Sequence, residues 1–206
     1  MKGLVNARLG PFSLTLAAAL FWACSALAQP TIVQQAAGGL DSETTGGVVL
    51  PNVVVGDTLV FAITGAIGYI PTVTDSAGNA WKVAITLQPP LTNGYTALWY
   101  APNVKAGDTT ISIVYNGTQW SSWNAFEVSG LTGAIDTATS SYSFGTSTAV
   151  STGALTTTVS GDLLVGVMQA GWGNPPPFTD IGTSGGTPTM LEWDPNSYAD
   201  MFGAVG

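Results

Sequence analysis

The sequence predicts an all-β protein, a two-sheet antiparallel β-sandwich. Three observations predict it. Short apolar runs recur along the chain, cut by turn residues at the roughly 8–12 residue spacing of a sandwich or barrel. β-Branched and aromatic residues fill the runs while Gly and Pro punctuate them. No window of helical length keeps a 3.6-residue apolar period with caps.

The runs are justified in order. Residues 29–46 form a lead-in, with a first strand at Thr31–Gln35, and with Gly38-Gly39 and Gly46-Gly47 loosening the chain after it. The sandwich then occupies residues 47–206. Asp57–Thr64 places Leu59, Phe61 and Ile63 on one face, the period-two signature of a strand. Ala80–Leu87 and Tyr95–Ala101 are further runs. Thr109–Tyr115 turns Ile111 and Ile113 inward and Thr110 and Ser112 outward. Trp123–Val128, Asp162–Ala170 and the weaker Thr187–Trp193 come next, and Tyr198–Phe202 begins another. Gly56-Asp57, Gly107-Asp108 and Gly161-Asp162 each precede a run, Gly supplying a positive φ and Asp bonding nearby backbone N–H groups. The echo is too short and uneven for a solenoid.

The first 28 residues read as a secretory signal. Lys2 and Arg8 give a basic start, Phe12–Cys24 is mostly apolar, and Ala26-Leu27-Ala28 offers small residues for cleavage. The apolar stretch falls short of the about 20 residues that span a bilayer, so the processed chain is expected not to insert in a membrane. An uncleaved anchor is the alternative. A second is lipidation at Cys24, which Phe21-Trp22-Ala23 suits poorly.

Cys24 is the sole cysteine, so a chain cleaved after Ala28 has no disulfide and no thiolate chemistry. Beyond residue 28 only Lys82 and Lys105 stand against twelve acidic residues, with no arginine or histidine. Such a chain lacks the basic footprint that nucleic acid requires, and attraction to anionic lipid is disfavoured. Histidine-based triads and His/Cys zinc sites are excluded by composition. No Gly-rich phosphate loop precedes a helix, and no cofactor is implied.

Several motifs carry a resemblance. Gly56-Asp57-Thr58-Leu59-Val60, Thr72–Trp81 (TVTDSAGNAW), Trp99–Asp108 (WYAPNVKAGD), Glu127–Leu131 (EVSGL) and Gly161-Asp162-Leu163-Leu164 together resemble a β-sandwich domain of secreted bacterial proteins, immunoglobulin-like or jelly-roll-like in style. Such domains sit beside immunoglobulin-like or fibronectin-like modules in large surface proteins. The resemblance covers residues 31–206 and implies export, a cell-surface setting and no catalytic residues. Similar domains continue with a further strand or two, so the sequence is expected to be a fragment lacking its last strand.

Each candidate site has a competing structural reading. Asp75-Ser76-Ala77-Gly78-Asn79 offers Asp75 and Asn79 as calcium ligands, or forms a turn with Gly78 and Asn79 at positive φ. Glu192 and Asp194 share a strand face at a separation a retaining glycosidase could use, or lie on an exposed edge. Glu127 in an apolar strand is a general-acid candidate if buried, or points to solvent, the expected arrangement. Trp120 and Trp123 flank Ser121-Ser122 at a turn or strand start, and Trp172 with Asn174 lies in a loop before Pro175-Pro176-Pro177. Loop indoles offer platforms for sugar rings, or plug the ends of the core. Asn116-Gly117-Thr118 matches the glycosylation pattern weakly. The expectation is a non-catalytic exported module. Its partner is an extracellular polysaccharide or surface protein bound through Trp120, Trp123, Trp172 and Asn174. A structural spacer of a larger extracellular protein and a carboxylate-based hydrolase are the alternatives.

Overall fold

A computed structural model describes residues 29–65, 69–88, 94–133, 135–136, 156–158, 162–169, 187–193 and 199–205. The described residues contain nine strands and no helix: β1 (Thr31–Val53), β2 (Thr58–Gly65), β3 (Thr72–Asp75), β4 (Lys82–Leu87), β5 (Tyr95–Ala101), β6 (Gly107–Ser129), β7 (Leu163–Gln169), β8 (Thr187–Trp193) and β9 (Ala199–Val205). All pairings are antiparallel. Six strands form one sheet in the order β1-β6-β2-β5-β4, with β3 also paired to β6, and three form another, β7-β9-β8. The all-β reading of the sequence holds.

The six-stranded sheet is folded in two. β1 and β6 each run 23 residues, and a straight strand of that length would reach about 75 Å. Yet the Gln34 side-chain amide donates to the Pro51 carbonyl, 17 residues further along β1, at 2.7 Å. The β1–β6 ribbon therefore doubles back. One half pairs Gln34–Asp41 with Trp120–Glu127, and the other pairs Thr45–Leu50 with Thr109–Val114. Between them lie two successive register shifts at Asp41, Glu43 and Thr45. Ser42 at φ 65° and Gly117 at φ 145° sit at the same corner. Bulges and strongly bent residues are how strands turn a corner between packed layers. The two layers of the sandwich are thus joined by unbroken strands.

The main core fills the fold. Val48, Leu50, Ile111, Ile113 and Tyr115 come from one half, and Leu59, Phe61, Ile63, Ala97, Trp99, Trp123 and Ala125 from the other. The period-two faces expected for β2 and for Ile111 and Ile113 are observed. β2 is buried along its whole length, because its second face is covered as well. Val60, Phe126 and Val128 form a smaller cluster there, with Leu98, Leu163 and Val165 packed against it. Leu163 and Val165 belong to β7, so the second sheet supplies part of that cover.

The lead-in expected at residues 29–46 is corrected. It is strand throughout from Thr31, and its glycines make room rather than loosen the chain. A Cβ on Gly38 would lie 2.8 Å from Trp123 Nε1, and one on Gly46 would lie 2.7 Å from Trp123 Cη2. These glycines come from opposite layers and hold one indole between them. The segment beginning near Tyr198 is β9, the central strand of the small sheet, flanked by β7 and β8.

Candidate functional site

The folded sheet has two ends, and polar groups gather at both. At the corner, Trp120 lies on the outward face of β6 and is 38% exposed. Its indole N–H donates to Asp41 Oδ1 at 2.8 Å. Asp41 is its register partner across the ribbon, so the bond locks the ring against the adjacent strand. Tyr69 is 45% exposed and its ring lies over Gly117 of the same corner, where an added Cβ would come within 3.1 Å. Exposed Val114 is near in sequence on β6, and Ile70 is next to Tyr69 in the chain. Two aromatic rings are therefore presented to solvent around the bend.

Trp123 is a different case. It is 2% exposed and its ring lies 6.4 Å from that of Phe61. The expectation that it binds a ligand beside Trp120 is corrected. Successive strand residues alternate faces, and a spacing of three puts the two indoles on opposite sides. Nor do Trp120 and Trp123 flank a turn: Ser121 and Ser122 are mid-strand. Trp172 and Asn174 lie outside the described residues, as does Asp194. Glu192 is placed on β8 opposite Met201.

Inside the corner, Tyr95 and Tyr115 are buried and their hydroxyls hydrogen-bond to each other. Burial above all, then the neighbouring Tyr115, holds the Tyr95 phenol in its neutral form far beyond the usual tyrosine range. Burial pushes Tyr115 in the same direction, against a smaller opposing pull from the Ser121 and Tyr95 hydroxyls.

The open end, opposite the corner, carries Glu127. It is fully buried, which corrects the expectation that it points to solvent. Its Oε1 accepts the Val54 N–H at 2.7 Å and its Oε2 accepts the Gln34 amide at 2.5 Å. Asp57 in the following turn hydrogen-bonds to Glu127, and its pKa is raised above the ordinary 3.8, first by burial and then by that neighbour. The turn is fixed by Gly56 at φ 91°, by Gly56 N–H donating to Val104 O at 2.9 Å, and by Val104 N–H donating to Asp57 O at 3.0 Å. The carboxylate faces inward because Trp123, Ala125 and Glu127 share the inner face of β6. Sequence alone gives no sign of this, since the group that receives Glu127 comes from a strand 73 residues earlier.

The 75–79 segment is a turn. Asp75 Oδ1 accepts the Asn79 N–H at 3.1 Å and Oδ2 accepts the Trp81 indole N–H at 2.7 Å. Lys105 Nζ donates to the carbonyls of Ala77 at 2.7 Å and Gly78 at 3.1 Å. An ammonium thus occupies the carbonyl cradle where the calcium reading put its ion, and both Asp75 oxygens are taken by N–H donors. That assignment of Asp75 and Asn79 is corrected. Gly78 has φ 66°, while Asn79 does not adopt a positive value. Among the described residues no three His, Cys, Asp or Glu side chains gather to hold a metal.

No family model, curated protein or solved structure matches this chain.

Proposed function

We propose that the chain is a non-catalytic recognition module of an exported or cell-surface protein, adhesive or carbohydrate-binding, and that the corner aromatics meet the ligand. One observation carries this reading: the solvent-facing Trp120 ring is held in a fixed orientation by Asp41. A rigid indole with a carboxylate beside it suits a sugar ring, which stacks its C–H face on the aromatic and offers hydroxyls to the acid. The scarcity of basic groups favours a neutral glycan over an anionic one. Affinity electrophoresis against a panel of soluble neutral polysaccharides tests it. At least one glycan retards the wild-type protein, Trp120→Ala removes the retardation, and Trp120→Phe keeps part of it. Equal mobility of wild type and Trp120→Ala on every glycan defeats the reading.

A structural spacer is the second reading. It is favoured by the fate of the other indoles: Trp99 and Trp123 are core residues at 5% and 2% exposure. A hydrolase draws less support, because the carboxyl pair at the open end, Asp57 and Glu127, has one member with no exposed surface.

A further inference from the structure

The open end of the fold joins three segments distant in sequence. Gln34 lies near the start of β1, Pro51 and Val54 at its finish, and Glu127 near the finish of β6. The Gln34 amide reaches both Pro51 O and Glu127 Oε2, while Glu127 Oε1 takes Val54 N–H. Both oxygens of Glu127 accept N–H donors, so Glu127 is the ionised partner. The hydrogen bond between the two carboxyls then needs its proton on Asp57.

We infer that Asp57 and Glu127 form a proton-operated clasp. With one proton shared between them, the finish of β1 is tied to its start and the folded sheet is shut. When that proton leaves to solvent, two carboxylates face each other and the 51–57 turn loosens from β6. The other charged groups at this end are committed elsewhere. Asp108 Oδ1 accepts the Asn52 N–H at 2.9 Å, Lys105 Nζ is held by Ala77 O and Gly78 O, and Lys82 Nζ lies 5.7 Å over the Tyr100 ring. Gln34 is uncharged. Among the described residues, no base therefore neutralises the second negative charge.

Linkage fixes the sign. The raised Asp57 pKa means the folded state binds the proton more tightly than the unfolded chain, whose value is near 3.8. Stability is therefore gained as the pH falls through the folded value towards 3.8, and is absent above it. The twelve acids also repel one another less as the pH falls, so the difference between variants is the readout. Thermal midpoints are measured at pH 5 and pH 8 for the wild type and Asp57→Asn, whose amide keeps a donor towards Glu127 without a titrating proton. The wild-type gain at pH 5 exceeds that of Asp57→Asn by about 2–4 °C, the response of a domain this size to one titrating contact. Amide exchange in the wild type gives a second measure. Corrected for intrinsic rates, Val54 protection falls at least fivefold from pH 5 to pH 8 relative to Phe61 in the core. Equal pH responses of the two proteins, or a constant ratio of Val54 to Phe61 protection, overturns the clasp.

Discussion

The two ends of the folded sheet hold the same two strands together by different physics. At the corner the closure is dry. Trp123 is packed between Gly38 and Gly46, and the hydroxyls of Tyr95 and Tyr115 bond only within a buried setting. At the open end the closure is ionic and reaches water, through part-buried Gln34 and Asp57 around a buried Glu127. The corner must force a bend on strands that would otherwise run straight, and close packing does that without a partner charge. The open end only needs to stop the layers from parting. A polar clasp suffices there, and it responds to pH.

The largest expected effect tests whether the corner depends on one indole. Trp123→Ala removes the side chain that fills the bend and costs about 3–5 kcal/mol of unfolding free energy in urea titration. Gly46→Ala, which drives a methyl into the same ring, costs about 1–3 kcal/mol. In a Trp123→Phe background the Gly46→Ala penalty falls by at least half, because the smaller ring gives way. A Gly46→Ala cost unchanged by Trp123→Phe would show that the glycine serves the backbone bend and not the indole.

This pairing of glycine with tryptophan also marks where the sequence stops being legible. β2, β5 and the first part of β6 are readable because their alternating faces are decided locally. β5, Tyr95–Ala101, has the bounds the apolar run predicts. Gly38-Gly39 and Gly46-Gly47 misread as loose linkers because a glycine that relieves the chain and a glycine that admits a neighbour look alike in one dimension. The receiving residue, Trp123, lies 77 positions beyond Gly46. Glu127 misleads for the same reason: alternation assigns it the inner face with Trp123 and Ala125, but an acid in that position reads as a solvent-facing residue unless its donors are known. Trp120 is the converse. Its outward face follows from alternation with Ser121 and Trp123 once the segment is taken as mid-strand, a signal the Ser-Ser pair obscured.

A smaller effect sharpens the dry end. Tyr115→Phe leaves the Tyr95 hydroxyl buried with one partner fewer, and costs about 1–2 kcal/mol. Removing both hydroxyls in Tyr95→Phe/Tyr115→Phe costs less than the two single changes together, because no donor is then stranded. Additive costs from the same urea titrations would mean that each hydroxyl has an independent partner.

The smallest effect belongs to the wet end. Gln34→Ala deletes the amide that donates to Pro51 O and Glu127 Oε2, two bonds where Tyr115→Phe deletes one. Counting bonds alone would rank it above the tyrosine change. Exposure reverses the order. Gln34 is part-buried and the bond to Pro51 O is at the surface, so water replaces the lost donor there, and the carboxylate of Glu127 keeps the Val54 N–H. The expected cost is about 0.5–1 kcal/mol, below that of Tyr115→Phe, because a hydrogen bond exchanged for one to water contributes little and a stranded buried group costs its full desolvation. A Gln34→Ala cost above that of Tyr115→Phe would mean that the open end is as dry as the corner, and the contrast between packing at one end and a hydrated clasp at the other would fail.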